Sequence, residues 1–241
     1  MASSPSFPEW EPIYEAILAD LGFDRAADER ARDIAAEIAR PFDHDRLAHL
    51  DGATVAVVGA APSLSAELAS FDPDGVDATV AASTAVDVLA DHGLGVELMV
   101  TDLDKNVPTA RELTHSGTPV AAHAHGDNIP TLREWLPRFD PDLTLVTTQA
   151  EPRGPVENVG GFTDGDRAAF IADAFGAADL RFLGWEFDDP AVDPLKARKL
   201  RWAEQLLYWL ERRRDERFDL LDGRRGSLAK DPSTVSTDDE V

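Results

Sequence analysis

Thr54-Val-Ala-Val-Val-Gly59-Ala-Ala-Pro-Ser63 is the stretch on which the fold reading turns. Its apolar residues run without alternation into a glycine, the pattern of a short strand covered on both faces. Ala-Ala-Pro-Ser then turns the chain into a helical stretch over 63–70. The unit recurs: similar apolar runs occupy Ala78–Ala82, Glu97–Thr101, Pro119–His123, Leu143–Thr147 and Leu180–Gly184, with helical stretches at 84–92, 108–115, 129–138 and 164–176. Alternating strand and helix defines an α/β class. The expectation is a mostly parallel, Rossmann-like sheet of about six strands with helices on both faces and right-handed crossovers.

Outward from this core, two helices precede the sheet. Trp10, Ile13, Tyr14, Ile17, Leu18 and Leu21 recur at helical spacing up to Gly22, and a second helix runs from about Asp24 to Arg40, before Pro41. They define an N-terminal helical cap over residues 1–50, with residues 1–8 as a frayed Pro/Ser leader. The α/β domain spans 51–222 and closes with a long helix from about Pro194 to Arg217. Residues 223–241 are expected to form a disordered acidic tail. The apolar faces of the cap and of the final helix are candidate surfaces for a homodimer contact.

Composition narrows the function. The chain has 241 residues and a formal charge of −23, from 30 Asp and 16 Glu against 19 Arg and 4 Lys. Such a surface repels nucleic-acid phosphates and anionic membranes. No stretch approaches the length of a membrane helix, and no basic segment precedes an apolar run, so the expected location is cytoplasmic. The absence of cysteine removes disulfides, thiolate zinc sites and cysteine nucleophiles. Acid-rich, lysine-poor composition resembles that of salt-accumulating halophiles. It also devalues acidic motifs. Asp-x-Asp occurs at 43/45, 72/74, 102/104, 140/142 and 164/166, and about four such pairs are expected by chance at this Asp content.

Position relative to the sheet therefore decides, because ligands of open α/β sheets bind at the carboxyl ends of the strands. The polar chemistry falls there: the Gly59-Ala-Ala-Pro62-Ser63 turn, Ser83-Thr84, Asp102-Leu-Asp104, His123-Ala-His125-Gly-Asp127-Asn128 and Thr163-Asp164-Gly-Asp166-Arg167. The first turn can cradle a phosphate, although it is neither a Walker loop nor Gly-x-Gly-x-x-Gly. Asp102 and Asp104, with Asp127 from the next strand and Asp166 as a weaker member, form a candidate oxygen site for Mg²⁺. His-His-Asp at 123, 125 and 127 also admits zinc. Arg167 is a candidate clamp for triphosphate charge, and Asp164 shares its turn. The other Asp pairs receive no role.

In this order, the motifs Val-Val-Gly59-Ala-Ala-Pro-Ser-Leu64, Val-Thr-Asp102-Leu-Asp104, His123-Ala-His-Gly-Asp-Asn128, Gly161-Phe-Thr-Asp-Gly-Asp-Arg167, Leu183-Gly-Trp-Glu-Phe187 and Lys199-Leu-Arg-Trp202 resemble the archaeal type of 6-hydroxymethyl-7,8-dihydropterin pyrophosphokinase. That family is similar in its core to thiamin pyrophosphokinase. The chain departs from the family's usual pattern at Ala60-Ala61, Ser83-Thr84 and Lys105. The resemblance implies Mg²⁺-dependent transfer of diphosphate from ATP to the pterin hydroxymethyl group, releasing AMP, in tetrahydrofolate or methanopterin synthesis. It implies metal and catalytic roles for Asp102, Asp104 and Asp127. Gly59, Pro62, Ser63, Ser83, Thr84, His123, His125, Asn128, Asp164 and Arg167 would contact nucleotide or acceptor. A thiamin acceptor and a non-catalytic nucleotide-binding module are the alternatives.

Overall fold

The computed structural model describes residues 4–235. Its six strands are β1 (Thr54–Val58), β2 (Ala78–Ala82), β3 (Leu98–Thr101), β4 (Val120–Ala124), β5 (Thr144–Thr148) and β6 (Asp179–Leu183). Every pairing is parallel, so the sheet is wholly rather than mostly parallel, in the order β5-β4-β3-β2-β1-β6. The helices are α1 (Phe7–Leu21), α2 (Arg25–Ile38), α3 (Leu64–Leu68), α4 (Ala85–Asp91), α5 (Val107–Ser116), α6 (Ile129–Trp135), α7 (Asp164–Ala174) and α8 (Pro194–Arg214).

Strand alternation divides the buried residues between two cores. Ala56, Val58, Met99, Val120 and Ala122 face α3 to α6, which carry the chain stepwise from β1 to β5. Val55, Val57, Val80, Val100 and Leu145 face α1, α7 and α8. The chain thus winds along one face, then returns through α7 across the other to place β6 beside β1. The winding direction reverses between β1 and β6, the usual place for a binding crevice in such sheets. There the two backbones nearly touch. A Cβ on Gly59 would lie 2.5 Å from the Gly184 carbonyl oxygen, and one on Gly184 would lie 2.5 Å from that of Gly59.

The N-terminal helices are built into both cores. Trp10, Tyr14 and Ile17 of α1 pack with α7 and α8, whereas Ala31 and Ala35 of α2 join the opposite face. Buried side-chain bonds fix them: Trp10 Nε1 donates to the Gln149 carbonyl at 2.8 Å, and Tyr14 donates to Asp28 at 2.8 Å. The expected frayed leader shortens, because Ser6 and Glu9 form a capping box that starts α1 at Phe7; residues 1–3 lie outside the described residues. The apolar faces of α1 and α8 are spent inside this core, so they are not available as the expected homodimer surface.

Residues 223–235 of the expected tail also pack. Arg224 pairs with Asp188 and Glu204, Arg225 pairs with Glu211, Gln205 exchanges two hydrogen bonds with Ala229, and Pro232 is buried. The sequence hid this because the segment is held by arginine–carboxylate forks rather than by apolar periodicity. Residues 236–241 lie outside the described residues. No helix among the described residues is long and apolar enough to cross a membrane.

The excess of acid over base sits mainly on the surface, where salt screens its repulsion. The unfolding temperature should rise steeply as KCl is raised from dilute buffer to multimolar concentration. Each 3 kcal/mol of repulsion relieved corresponds to roughly 10 °C for a chain of this size. Thermal unfolding followed by circular dichroism checks this, and a flat or falling profile would count against a salt-adapted surface.

Candidate functional site

Two adjoining cavities open at the carboxyl ends of the strands. The larger, about 520 Å³, lies over the β1/β6 crevice and is lined by Gly59, Pro62, Ser83, Thr84, Asp102, Asp104, Asp164 and Trp185, among others. The smaller, about 280 Å³, lies between the α1–α2 link and the β4 turn. Asp102, Phe162 and Lys199 line both.

Backbone strain concentrates here. Ser83 (φ 36°), Leu103 (φ 63°) and Asn106 (φ 58°) are three of the four described non-glycine residues with positive φ, and all three follow β2 or β3. Such conformations persist where the surrounding structure over-determines them. Leu103 shows how. Its side chain is buried, and its N–H bonds the Thr101 hydroxyl at 3.0 Å, so Asp102 and Asp104 are displayed on either side of an anchored turn.

The Asp-x-Asp spacing is itself a turn device. Asp43, Asp72, Asp102 and Asp140 each accept from the N–H of the Asp two residues on. The 102/104 pair differs only in its surroundings. Burial acts to raise the Asp102 carboxyl, but the hydrogen bonds from Asp104 and the nearby Arg167 charge outweigh it and hold it below the ordinary value. Partial burial and the neighbouring Asp102 push Asp104 up to about 6. Burial, reinforced by the charge of Asp102, raises Asp164 well above the usual carboxylate range.

Several expected ligands are used otherwise. Asp166 accepts from the Phe162 and Thr163 N–H groups and the Thr163 hydroxyl, closing the capping box of α7, so it is not free to hold a metal. Asp127 is exposed on the smaller pocket and does not line the larger cleft with Asp102 and Asp104. Among the described residues no three His, Asp or Glu side chains stand close enough to hold a metal by themselves, which counts against both the Asp102–Asp104–Asp127 cluster and the zinc arrangement. The remaining pair still fits magnesium, which commonly takes one or two carboxylates and completes its shell with phosphates and water. Asp102 and Asp104 are thus the residues that would hold it.

Arg167 is buried, donating to the Phe162 carbonyl at 2.7 Å and to Asp164 at 3.3 Å. It lies behind the site as a fixed positive charge and does not line the cleft as a phosphate clamp. Asn128 is spent as a brace: its amide nitrogen donates to the Asp102 and His123 carbonyls at 2.6 and 2.7 Å, and its oxygen accepts from His125 N–H. The first turn is likewise occupied. Gly59 and Ala61 donate to the Leu183 and Gly184 carbonyls, and the Ser63 N–H donates to Glu186. It forms the floor of the crevice rather than an open phosphate cradle.

What the sequence reading missed is the cation set. Lys105, Lys196 and Lys199 all line the larger cleft, and they are three of the chain's four lysines. A chain that elsewhere almost excludes lysine gathers it in one cleft, among six carboxylates: Asp102, Asp104, Asp164, Glu186, Asp189 and Asp193. Four buried side-chain atoms near these strand ends also lack hydrogen-bond partners: Ser63 Oγ, Ser83 Oγ, His125 Nε2 and Arg167 Nε. Buried polar atoms are ordinarily satisfied, so a group of orphans marks a place where a ligand can complete the bonding.

Fold and site together define an α/β protein whose strand-end cleft, carrying a carboxylate pair and a lysine cluster, suits a polyanion with a divalent cation. Residues 31–191 match the 6-hydroxymethylpterin diphosphokinase MptE-like family, and the chain belongs to it. It is 36% identical to the 6-hydroxymethyl-7,8-dihydropterin pyrophosphokinase of Methanothermobacter thermautotrophicus, over 87% of this chain and 97% of that protein. It is also 36% identical to the protein of that name from Pyrococcus furiosus, over 84% and 93% of the two chains. The one from Methanocaldococcus jannaschii is 28% identical over 84% and 95%.

Two variants test these assignments. Asp166→Ala should lower stability by about 1–3 kcal/mol through loss of the cap and its buried acceptors, while leaving Mg²⁺ affinity unchanged; chemical denaturation and calorimetric titration separate the two. His123 is buried and bonded to Thr147 at 3.0 Å, and burial, aided by the Arg167 charge, lowers its pKa well below 6.5. It is neutral when folded and binds a proton when unfolded, so its stabilising contribution is present above pH 6.5 and lost as pH falls below it. His123→Gln should flatten the fall in unfolding free energy between about pH 6.5 and 5, by up to about 1.4 kcal/mol per pH unit. An unchanged slope in denaturant titrations would place the titration elsewhere.

Proposed function

We propose that this chain is an enzyme that transfers diphosphate from ATP to 6-hydroxymethyl-7,8-dihydropterin, with Mg²⁺, releasing AMP. The observation that carries the reading is the meeting of Asp102 and Asp104 with Lys105, Lys196 and Lys199 in one cleft at the sheet's switch point. The family match and the names of the relatives support the pterin as acceptor.

The triphosphate would lie over the Gly59 turn, its charge met by the three lysines. The two carboxylates would hold Mg²⁺, which when bound spreads the charge that develops on the transferred phosphates. Ser83 Oγ, buried and without a hydrogen-bond partner just after β2, would take a phosphate or ribose oxygen. The acceptor hydroxyl oxygen then bonds to the β-phosphorus. The bond from that phosphorus to the oxygen bridging toward the α-phosphate breaks, AMP leaves with that oxygen, and the hydroxyl proton passes to water. Alignment and charge compensation carry such a step, and no covalent enzyme intermediate is required.

The test is AMP release from ATP in multimolar KCl with MgCl₂, measured chromatographically with pterin, with thiamin and with neither. Pterin-dependent AMP is expected, and Asp102→Asn should reduce it by roughly 10²-fold or more without changing the unfolding temperature appreciably. Thiamin-dependent AMP would move the assignment to thiamin diphosphate synthesis. ATP binding with no AMP under any condition would support the non-catalytic nucleotide-binding module.

A further inference from the structure

The smaller pocket is not needed to hold a triphosphate. Resting on the diphosphotransfer reading, we propose that it seats the acceptor, a small flat heteroaromatic alcohol, and that His125 Nε2 makes the hydrogen bond that selects it. Size is the first argument. At about 280 Å³ the pocket lies at the bottom of the range for small-molecule sites, beside a cleft nearly twice as large. The smaller volume suits a fused-ring molecule and the larger one a nucleotide.

The walls are rigid. Asp28 of α2 accepts from Tyr14 at 2.8 Å, Gln149 at 2.7 Å and Gly126 N–H at 2.8 Å, locking α1, α2, the end of β5 and the β4 turn together. Gly126 has no room for a side chain, since a Cβ there would lie 2.5 Å from the Ala27 Cβ. His123 is bonded to Thr147 at 3.0 Å, and its other ring nitrogen faces Gln149 at 3.4 Å. Of the pocket's buried polar side chains, Asp28, His123 and Gln149 are thus engaged with one another or with the core, whereas His125 Nε2 is buried without a partner.

Aromatic faces supply the rest. Phe23 and Phe162 line the pocket with ring centroids 6.4 Å apart and planes 29° from parallel, and the His125 ring is stacked near His123 at 6.1 Å. Flat heterocycles bind such faces by offset stacking. Asp102 lines both cavities, so a hydroxymethyl arm leaving this pocket would reach the carboxylate pair where the phosphates lie. His125 is therefore a specificity residue, and Phe23, from the link between α1 and α2, is part of the acceptor wall.

Binding of 6-hydroxymethylpterin, followed without ATP through the ligand's own fluorescence, and steady-state AMP release test this on the full chain in high salt. For His125→Ala the expected result is a loss of pterin affinity of about tenfold or more, a matching rise in the pterin KM, and an unchanged ATP KM. His125→Gln should restore part of the affinity, and Phe23→Ala, which leaves the His125 hydrogen bond in place, should weaken pterin binding on its own. Wild-type pterin affinity in both His125→Ala and Phe23→Ala, with AMP release intact, would overturn the pocket assignment and leave the diphosphotransfer reading standing. A raised ATP KM with unchanged pterin KM would give the pocket to the nucleotide. Absence of pterin-dependent AMP from the wild-type protein would remove the reading and the pocket assignment together.

Discussion

The close approach of Gly59 and Gly184 is the constraint on which the site depends. Where two chain segments leave adjacent strands in direct backbone contact, glycine is the residue that permits the close approach. Here each glycine occupies the space that a Cβ on the other would need. The consequence is a seam sealed by backbone hydrogen bonds from Gly59 and Ala61 to the β6 exit. The seam gives the larger cleft a closed floor, so that an anion entering it would be met by the side chains that line its walls. The N–H groups of Gly59, Ala61 and Ser63 in the first turn are accordingly taken up by Leu183, Gly184 and Glu186 at the β6 exit.

Charge is arranged against the grain of the chain. At −23 overall, a random cleft would repel a triphosphate. Lys105 follows β3, and Lys196 and Lys199 sit on the first turns of α8, so two distant segments deliver cations to the same opening. Elsewhere the basic residues are almost all arginines, many in forked pairs with carboxylates such as Arg214 with Asp173 and Glu216. The division is physically sensible. A planar guanidinium is suited to fixed ion pairs, whereas a flexible, strongly hydrated ammonium can follow phosphates that arrive and leave.

How legible this was depended on which physics a residue expresses locally. The strands and the helices of the α/β core are written as short-range periodicity, and β2 was placed to the residue. Strand-end positions for Ser83, Asp102, Asp104 and His125 followed from that placement. The roles of Asp166, Asn128 and Arg167 did not, because their partners are decided in three dimensions: an N-cap, a brace between two strand ends, and a buried carbonyl. The Asp-x-Asp spacing carried no discriminating information, since four of the five pairs make the same local turn. Lysine scarcity is a property of the surface as a whole. It is equally a signal of where the surviving lysines matter, since three of the four fall beside the strand ends.

The N-terminal helices show why a segment that precedes the sheet can still shape its chemistry. Asp28 lies fourteen residues past Tyr14 in sequence, and its carboxylate is where α1, the end of β5 and the β4 turn meet. A buried carboxylate with three donors is held by those bonds, and each donor in turn is fixed by it. The β4 turn cannot shift without breaking the bond from Gly126, and the position of the His125 ring is set by that turn through the Asn128 brace. The two cores are therefore joined through polar contacts at the strand ends, where apolar packing stops. An orphaned ring nitrogen at the edge of so saturated a network is costly unless something periodically bonds to it, which is the physical reason for looking to a ligand there.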